Sequence, residues 1–119
     1  MKILVIDDDG DVRKFIVTTL TRENHTVFEA GDGNQGLQLL QEHRDISVVI
    51  TDLIMPEKEG LETIIEIRSL LPAIKIMAIS GGGIVGPDNY LVLADTLGAN
   101  STLKKPFTGK ELLDALRNL

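Results

Sequence analysis

The chain has 119 residues, 43% of them apolar and 25% charged, which suits one globular domain over residues 1–119 burying roughly two-thirds of its surface. It has no cysteine, so a disulfide framework, a thiolate zinc site and a cysteine nucleophile are excluded. Its 12 Lys and Arg are scattered against 18 Asp and Glu, a net charge of −6, and aromatics make up 3%, which excludes a nucleic-acid surface built on clustered cations or stacking rings.

Ile3-Leu4-Val5-Ile6 is a short apolar run that leads straight into Asp7-Asp8-Asp9. No signal peptide would tolerate that sequel, so the run reads as a first strand. Nothing approaches the ~20 apolar residues of a membrane span, and the simplest location is the cytoplasm. Val12, Phe15, Ile16, Thr19 and Leu20 repeat at helical spacing behind Asp9, a good N-cap. A weaker strand fits Thr26 to Glu29, and Asp32 caps a second helix carrying Leu37, Leu39 and Leu40. Ser47 to Thr51 and Ile74 to Ile79 are β-branched runs too short for buried helices, and read as strands covered on both faces. Between them, Leu61, Ile64, Ile65 and Ile67 to Leu70 mark a third helix. Ser80 to Pro87, with five glycines or prolines among its residues, reads as a flexible loop. A fourth helix ends near Leu97, where Gly98 supplies a left-handed cap. A weak fifth strand covers Ser101 to Lys104. The last helix opens at Thr108, with Glu111 completing a capping box and Leu112, Leu113 and Leu116 as its core face. His25 and His43 fall at helix ends, away from the acidic groups.

Strict alternation of five strands with five helices means right-handed crossovers and an α/β fold, a parallel sheet with helices on both faces. Ligands of such a sheet bind beyond the carboxyl ends of its strands. There the first strand presents Asp7, Asp8 and Asp9, the third Asp52, the fourth Ser80 and the fifth Lys105. Singly, each has a plain explanation: Asp9 as an N-cap, Ser80 as a turn residue, Lys105-Pro106 as a strand stop. Together they converge on one chemistry. Crowded carboxylates repel and accept a hard divalent cation such as Mg2+, which keeps room for a phosphoryl oxygen. A lysine pairs with a carboxylate at rest and with a phosphoryl group when one arrives, and a serine donates a hydrogen bond to it. The set describes a magnesium-assisted phosphoryl site with an aspartate as acceptor.

Ile3 to Asp9, then Thr51-Asp52-Leu53-Ile54-Met55-Pro56 with Gly60, then Ala78-Ile79-Ser80-Gly81, then Gly98-Ala99 and Lys105-Pro106-Phe107 resemble the receiver domain of two-component response regulators, of the single-domain chemotaxis-regulator kind. The resemblance covers essentially the whole chain, in order. It implies a flavodoxin-like (βα)5 doubly wound sheet of strand order 2-1-3-4-5. It further implies that Asp52 takes a phosphoryl group from a phosphohistidine of a sensor kinase or a histidine phosphotransfer protein. Asp8 would bind Mg2+ directly and Asp7 through water, with Asp52 and the Ile54 carbonyl completing the protein ligands. Lys105 would contact the phosphoryl oxygen and Ser80 would swing towards it. Pro106 in this family commonly follows a cis peptide bond, which brings Lys105 into the site. The outcome would be a changed face on the fourth helix, fifth strand and fifth helix, read by a downstream target or an output domain, with no enzymatic action beyond the chain's own Asp52. The sequence leaves open a weak dimer through that face.

Three features depart from the family pattern. Thr102 stands where a Tyr or Phe is usual, Ser80 replaces the commoner Thr, and the glycine-rich loop from Gly81 to Gly86 is about three residues long in excess, a change that surface loops tolerate. Two other readings compete. Asp7-Asp8-Asp9 also resembles the D-x-D motif of haloacid-dehalogenase-type phosphatases, with Asp7 as nucleophile, but Asp11 replaces the expected Thr or Val and Asp52 goes unexplained. A degenerate receiver acting as a phosphate-independent interaction module is the third. An EF-hand fails at Val12 and Thr18, and a dinucleotide fold lacks the G-x-G-x-x-G cradle.

Overall fold

Apolar alternation along the strands decides how the layers stack. In the computed structural model, which describes residues 1–53, 60–81 and 98–119, the strands are β1 Lys2–Ile6, β2 Thr26–Ala30, β3 Val48–Asp52, β4 Lys75–Ser80 and β5 Ser101–Lys104. They form one parallel sheet of order β2-β1-β3-β4-β5, as the resemblance implies. Four helices are described: α1 Gly10–Arg22, α2 Gly33–Glu42, α3 Gly60–Leu70 and α4 Gly109–Arg117. The fourth helix expected from the sequence, and the loop from Gly82 onward, lie outside the described residues, so the final helix is α4 here.

Side chains of one strand face opposite ways in turn, so each strand feeds two cores. Ile3, Val5, Ile50, Met77 and Ile79 pack with Ile16 and Leu20 of α1 and with Leu112 and Leu116 of α4. Leu4, Ile6, Val49, Ile76 and Ala78 pack with Leu40 of α2 and with Ile64 and Ile67 of α3. Fully burying each such side chain contributes about 1.5–3 kcal/mol, so the three inner strands dominate the stability of the sheet. Coverage on both faces holds for β1, β3 and β4. It does not extend to β2 and β5, which are edge strands with part-exposed faces, and Thr102 is exposed on β5.

Caps end up where the sequence puts them. Asp9 accepts from the Asp11 and Val12 N–H groups, Asp32 from Gln35 N–H, and Thr108 and Glu111 form the reciprocal box. Each cap satisfies helix donors that have no partner inside the helix. Gly98 has φ +112°, and a side chain there would also crowd the Arg68 guanidinium. The helical stripes are narrower than periodicity suggests: Phe15, Ile65 and Leu70, all placed on core-facing repeats, are 43%, 50% and 60% exposed. Phe15 instead lies 6.1 Å, centroid to centroid, from the Phe107 ring. His43 caps the end of α2 against Phe28, and His25 contacts the N-terminal amine, both remote from the carboxyl ends of the strands.

Two tight contacts join the layers. Gly36 brings α2 so close to β1 that a Cβ there would sit 2.4 Å from Ile6 Cδ1. Arg68, in the last turn of α3, donates to the carbonyls of Pro72 (2.8 Å), Ile74 (2.7 Å) and Gly98 (2.8 Å) and to Asn100 Oδ1 (2.9 Å). Asn100 in turn accepts from the Ile76 N–H, so one guanidinium ties α3 to the entry of both β4 and β5.

Candidate functional site

Strand order reverses between β1 and β3, which opens a crevice beyond their carboxyl ends. Asp7 directly follows β1, and its N–H donates to the Ala30 carbonyl of β2. Its carboxylate is 1% exposed; Oδ1 accepts from Asp9 N–H at 2.9 Å, and the Asp7 carbonyl accepts from Arg13 at 2.6 Å. Arg13 also pairs with Glu29 of β2, so the turn bearing the acidic residues is anchored to the neighbouring strand. Asp8, next along, is exposed.

Asp52 is the last residue of β3 and 6% exposed. Its Oδ1 accepts from the Leu53 N–H at 3.0 Å. Ser80, ending β4, is fully buried, and its Oγ has no hydrogen-bond partner among the described residues. Lys105 leaves β5 with its N–H donating to the Ser80 carbonyl at 2.9 Å, and the Lys105–Pro106 peptide is cis. The lysine stem crosses the ends of β4 and β3. Its Nζ lies 3.1 Å from Asp7 Oδ2 and 3.5 Å from Asp52 Oδ1.

Four strand ends thus deliver Asp7, Asp8, Asp52, Ser80 and Lys105 to one rim. Ile54, expected to offer a carbonyl, lies outside the described residues. The electrostatics are lopsided: three carboxylates cluster at the rim, and one ammonium pairs with two of them. Burial, and then the Asp7 charge, push the Asp52 carboxyl up to about 6 against the opposing pull of Lys105. Burial alone would depress Lys105, but Asp52 and Asp7 outweigh it and hold the ammonium above its ordinary value. Carboxylate oxygens of Asp7, Asp8 and Asp52 lie within 4.8 Å of one another, and Asp7 Oδ2 faces the ammonium without an aligned hydrogen bond. An all-oxygen set with spare lone pairs and excess negative charge fits a hard divalent cation.

Two residues whose part the sequence did not reveal are Arg13, which holds the Asp7 carbonyl, and Gly60. Gly60 starts α3 against the end of β3, where a Cβ would lie 2.1 Å from the Asp52 carbonyl oxygen. Arg13 carries a weak sequence signal, its place in the first turn of the helix that follows the acidic run. Gly60 belongs to the run after Asp52 that carries the family resemblance, but its close approach to the Asp52 carbonyl shows only in the fold.

A parallel sheet of this order, with three carboxylates, a hydroxyl and a lysine at its carboxyl rim, defines a doubly wound α/β domain with an acidic site at its topological switch point. Comparison with known proteins narrows the class. A family model described as the response regulator receiver domain matches residues 3–117. The chemotaxis protein CheY homolog of Campylobacter jejuni is 35% identical over an alignment of 125 positions, covering 100% of this chain and 92% of that protein. The transcriptional regulatory protein CpxR of Escherichia coli is 34% identical over 116 positions, covering 98% of this chain and 47% of that protein. Among solved structures, a receiver domain protein of Clostridium thermocellum superposes with a TM-score of 0.89 at 33% identity, over 98% of this chain and 91% of that one. The Vibrio cholerae chemotaxis protein CheY4 does so with a TM-score of 0.85 at 29% identity, over 98% of this chain and 95% of that one. The chain belongs to the response regulator receiver domain family, whose members are signalling switches. Among the described residues, no helix is long and apolar enough to cross a membrane.

Proposed function

We propose that residues 1–119 form a receiver domain that acts as a phosphorylatable switch of a two-component phosphorelay, with Asp52 as phosphoacceptor. The observation that carries this is the placement of one ammonium, Lys105 Nζ, between buried Asp52 and buried Asp7 at the crevice of the sheet. An ionised Asp52 oxygen attacks the phosphorus of a phosphohistidine on a sensor kinase or histidine phosphotransfer protein. The P–N bond breaks, its electron pair stays on the imidazole, and an aspartyl phosphate forms. The raised position of the Asp52 carboxyl means that the competent, ionised form builds up as pH rises through about 6.

Asp8, Asp7, Asp52 and the Ile54 carbonyl would hold Mg2+, Asp8 directly and Asp7 through water; the ion would offset charge on the transferring group. The new phosphoryl group brings about −1.5 to −2 charges and three acceptor oxygens. Lys105 follows that charge. Ser80 Oγ, buried without a partner among the described residues, is drawn to donate to a phosphoryl oxygen. Movement of Ser80 at the end of β4 is passed to the face that includes β5 and α4, and a partner with differential affinity for the two shapes is bound or released. That partner is a downstream target or an output domain, reached in the cytoplasm. Chemistry stays confined to phosphorylation and dephosphorylation of Asp52 itself, without turnover of a separate substrate.

Incubation with acetyl phosphate and Mg2+, followed by mass spectrometry, tests the assignment. Label on Asp52, lost in Asp52→Asn, is the expected result. Label on Asp7 would instead support the phosphatase reading, and partner binding indifferent to labelling would support a phosphate-independent module.

A further inference from the structure

We infer that Arg13 is a positioning residue for the cation site. Its guanidinium links Glu29 of the edge strand β2 to the Asp7 carbonyl, so the affinity of the rim for Mg2+ depends on a side chain that carries the same sign of charge as the metal. This role deepens the reading of Asp7, Asp8 and Asp52 as a Mg2+ site and rests on it. Arg13 stands four residues after Asp9, at the N-terminal end of α1, and its own N–H makes the helix bond to the Asp9 carbonyl at 2.9 Å. Simple electrostatics disfavours a cation there twice. The N-terminus of a helix already carries partial positive charge. A positive group beside a rim that collects a divalent cation also opposes that cation.

Contacts hold the guanidinium in place against both effects. Nη1 donates to the Asp7 carbonyl at 2.6 Å, and Nε donates to Glu29 Oε1 at 3.2 Å. A Cβ added at Gly10 would stand 4.0 Å from Nη2, and one at Gly31 3.9 Å from Nη1, so the fork lies between the start of α1 and the turn after β2. The carbonyl it holds belongs to the peptide unit between Asp7 and Asp8, just beyond the last residue of β1. That unit is a rigid plane, so fixing its oxygen fixes how the backbone presents both acidic side chains. The Asp7 N–H is tied to the Ala30 carbonyl, and Asp7 Oδ1 accepts from the Asp9 N–H at 2.9 Å. Arg13 supplies the remaining hold on this turn and ties it to a second strand. A lysine ammonium lacks the planar fork that reaches a carbonyl and a carboxylate together.

Isothermal titration calorimetry with Mg2+ on the parent protein, Arg13→Gln and Arg13→Lys separates position from charge. Charge alone makes Arg13→Gln bind more tightly and leaves Arg13→Lys like the parent. The positioning role reverses this: Arg13→Gln should bind about tenfold more weakly, and Arg13→Lys several-fold more weakly. In Mg2+-free buffer, exchange of the Asp9 amide, which reports on Asp7 Oδ1, should quicken several-fold in Arg13→Gln, with the Val5 amide inside β1 unchanged. Mg2+ binding as tight as the parent's or tighter in either variant would overturn the inference. So would an unchanged Asp9 exchange rate, or equal quickening at Asp9 and Val5, the mark of general loosening. Arg13→Lys keeps the charge and most of the stem, so its affinity decides the matter even if Arg13→Gln folds poorly. If the parent protein itself takes up no Mg2+, the cation-site reading fails, and the Asp9 exchange rates still report on Arg13.

Discussion

Replacing Asp52 by Asn should stabilise the metal-free protein at neutral pH. The carboxyl sits at about 6 in the folded chain against 3.8 ordinarily, chiefly through burial and then the Asp7 charge. At 1.36 kcal/mol per pH unit, holding it ionised costs about 3 kcal/mol of folding free energy. Because its folded value is raised, the Asp52 contribution to stability is fully present below about 3.8 and is lost as pH climbs through about 6. Asparagine keeps the shape and the acceptor for the Leu53 N–H, and Lys105 keeps Asp7. The gain should therefore approach 2–3 kcal/mol at pH 7.5 and shrink below about 1 kcal/mol at pH 4. Urea unfolding in EDTA measures it. Circular dichroism is the probe, since the chain has one Tyr and no Trp. A variant no more stable than the parent at pH 7.5, or equally favoured at pH 4, would refute the electrostatic reasoning.

Three further outcomes are expected. Gly36→Ala should destabilise by about 1–2 kcal/mol in urea titrations, because overpacking against Ile6 outweighs the gain in helix propensity. Arg68→Met should cost about 2–4 kcal/mol, since it removes the donor to three carbonyls and one of the two donors to Asn100 Oδ1, and Arg68→Lys should recover little of it because a point charge cannot fork to four acceptors. Isothermal titration calorimetry with Mg2+ should show Asp8→Ala weakening binding more than Asp7→Ala, and in the parent protein Mg2+ at a hundredfold its Kd should add about 2.7 kcal/mol to stability.

The strands were legible because Ile3 to Ile6, Ser47 to Thr51 and Ile74 to Ile79 combine β-branching with brevity, a pairing few buried helices share. Their ends were harder to place. Asp52 and Ser80 are the last residues of β3 and β4 and sit inside the ladder, more buried than a loop position would be. Helix starts were legible through Asp9, Asp32 and Thr108, whose side chains act on donors two or three residues away. Phe15, Ile65 and Leu70 show the limit of periodicity, which tells that a stripe exists but not how wide a face the neighbouring layer covers.

Local order alone, through short-range spacing and capping, determined the alternation of elements and hence a parallel sheet with its acidic, hydroxyl and ammonium residues on one rim. Only the tertiary structure decided how those groups feel one another. The reach of Lys105 to two carboxylates, the raised Asp52 carboxyl, the Arg13 and Arg68 anchors and the crowding at Gly36 all depend on distances across elements far apart in sequence. Coulomb and contact energies depend on separations in space, and spacing along a chain does not set those separations.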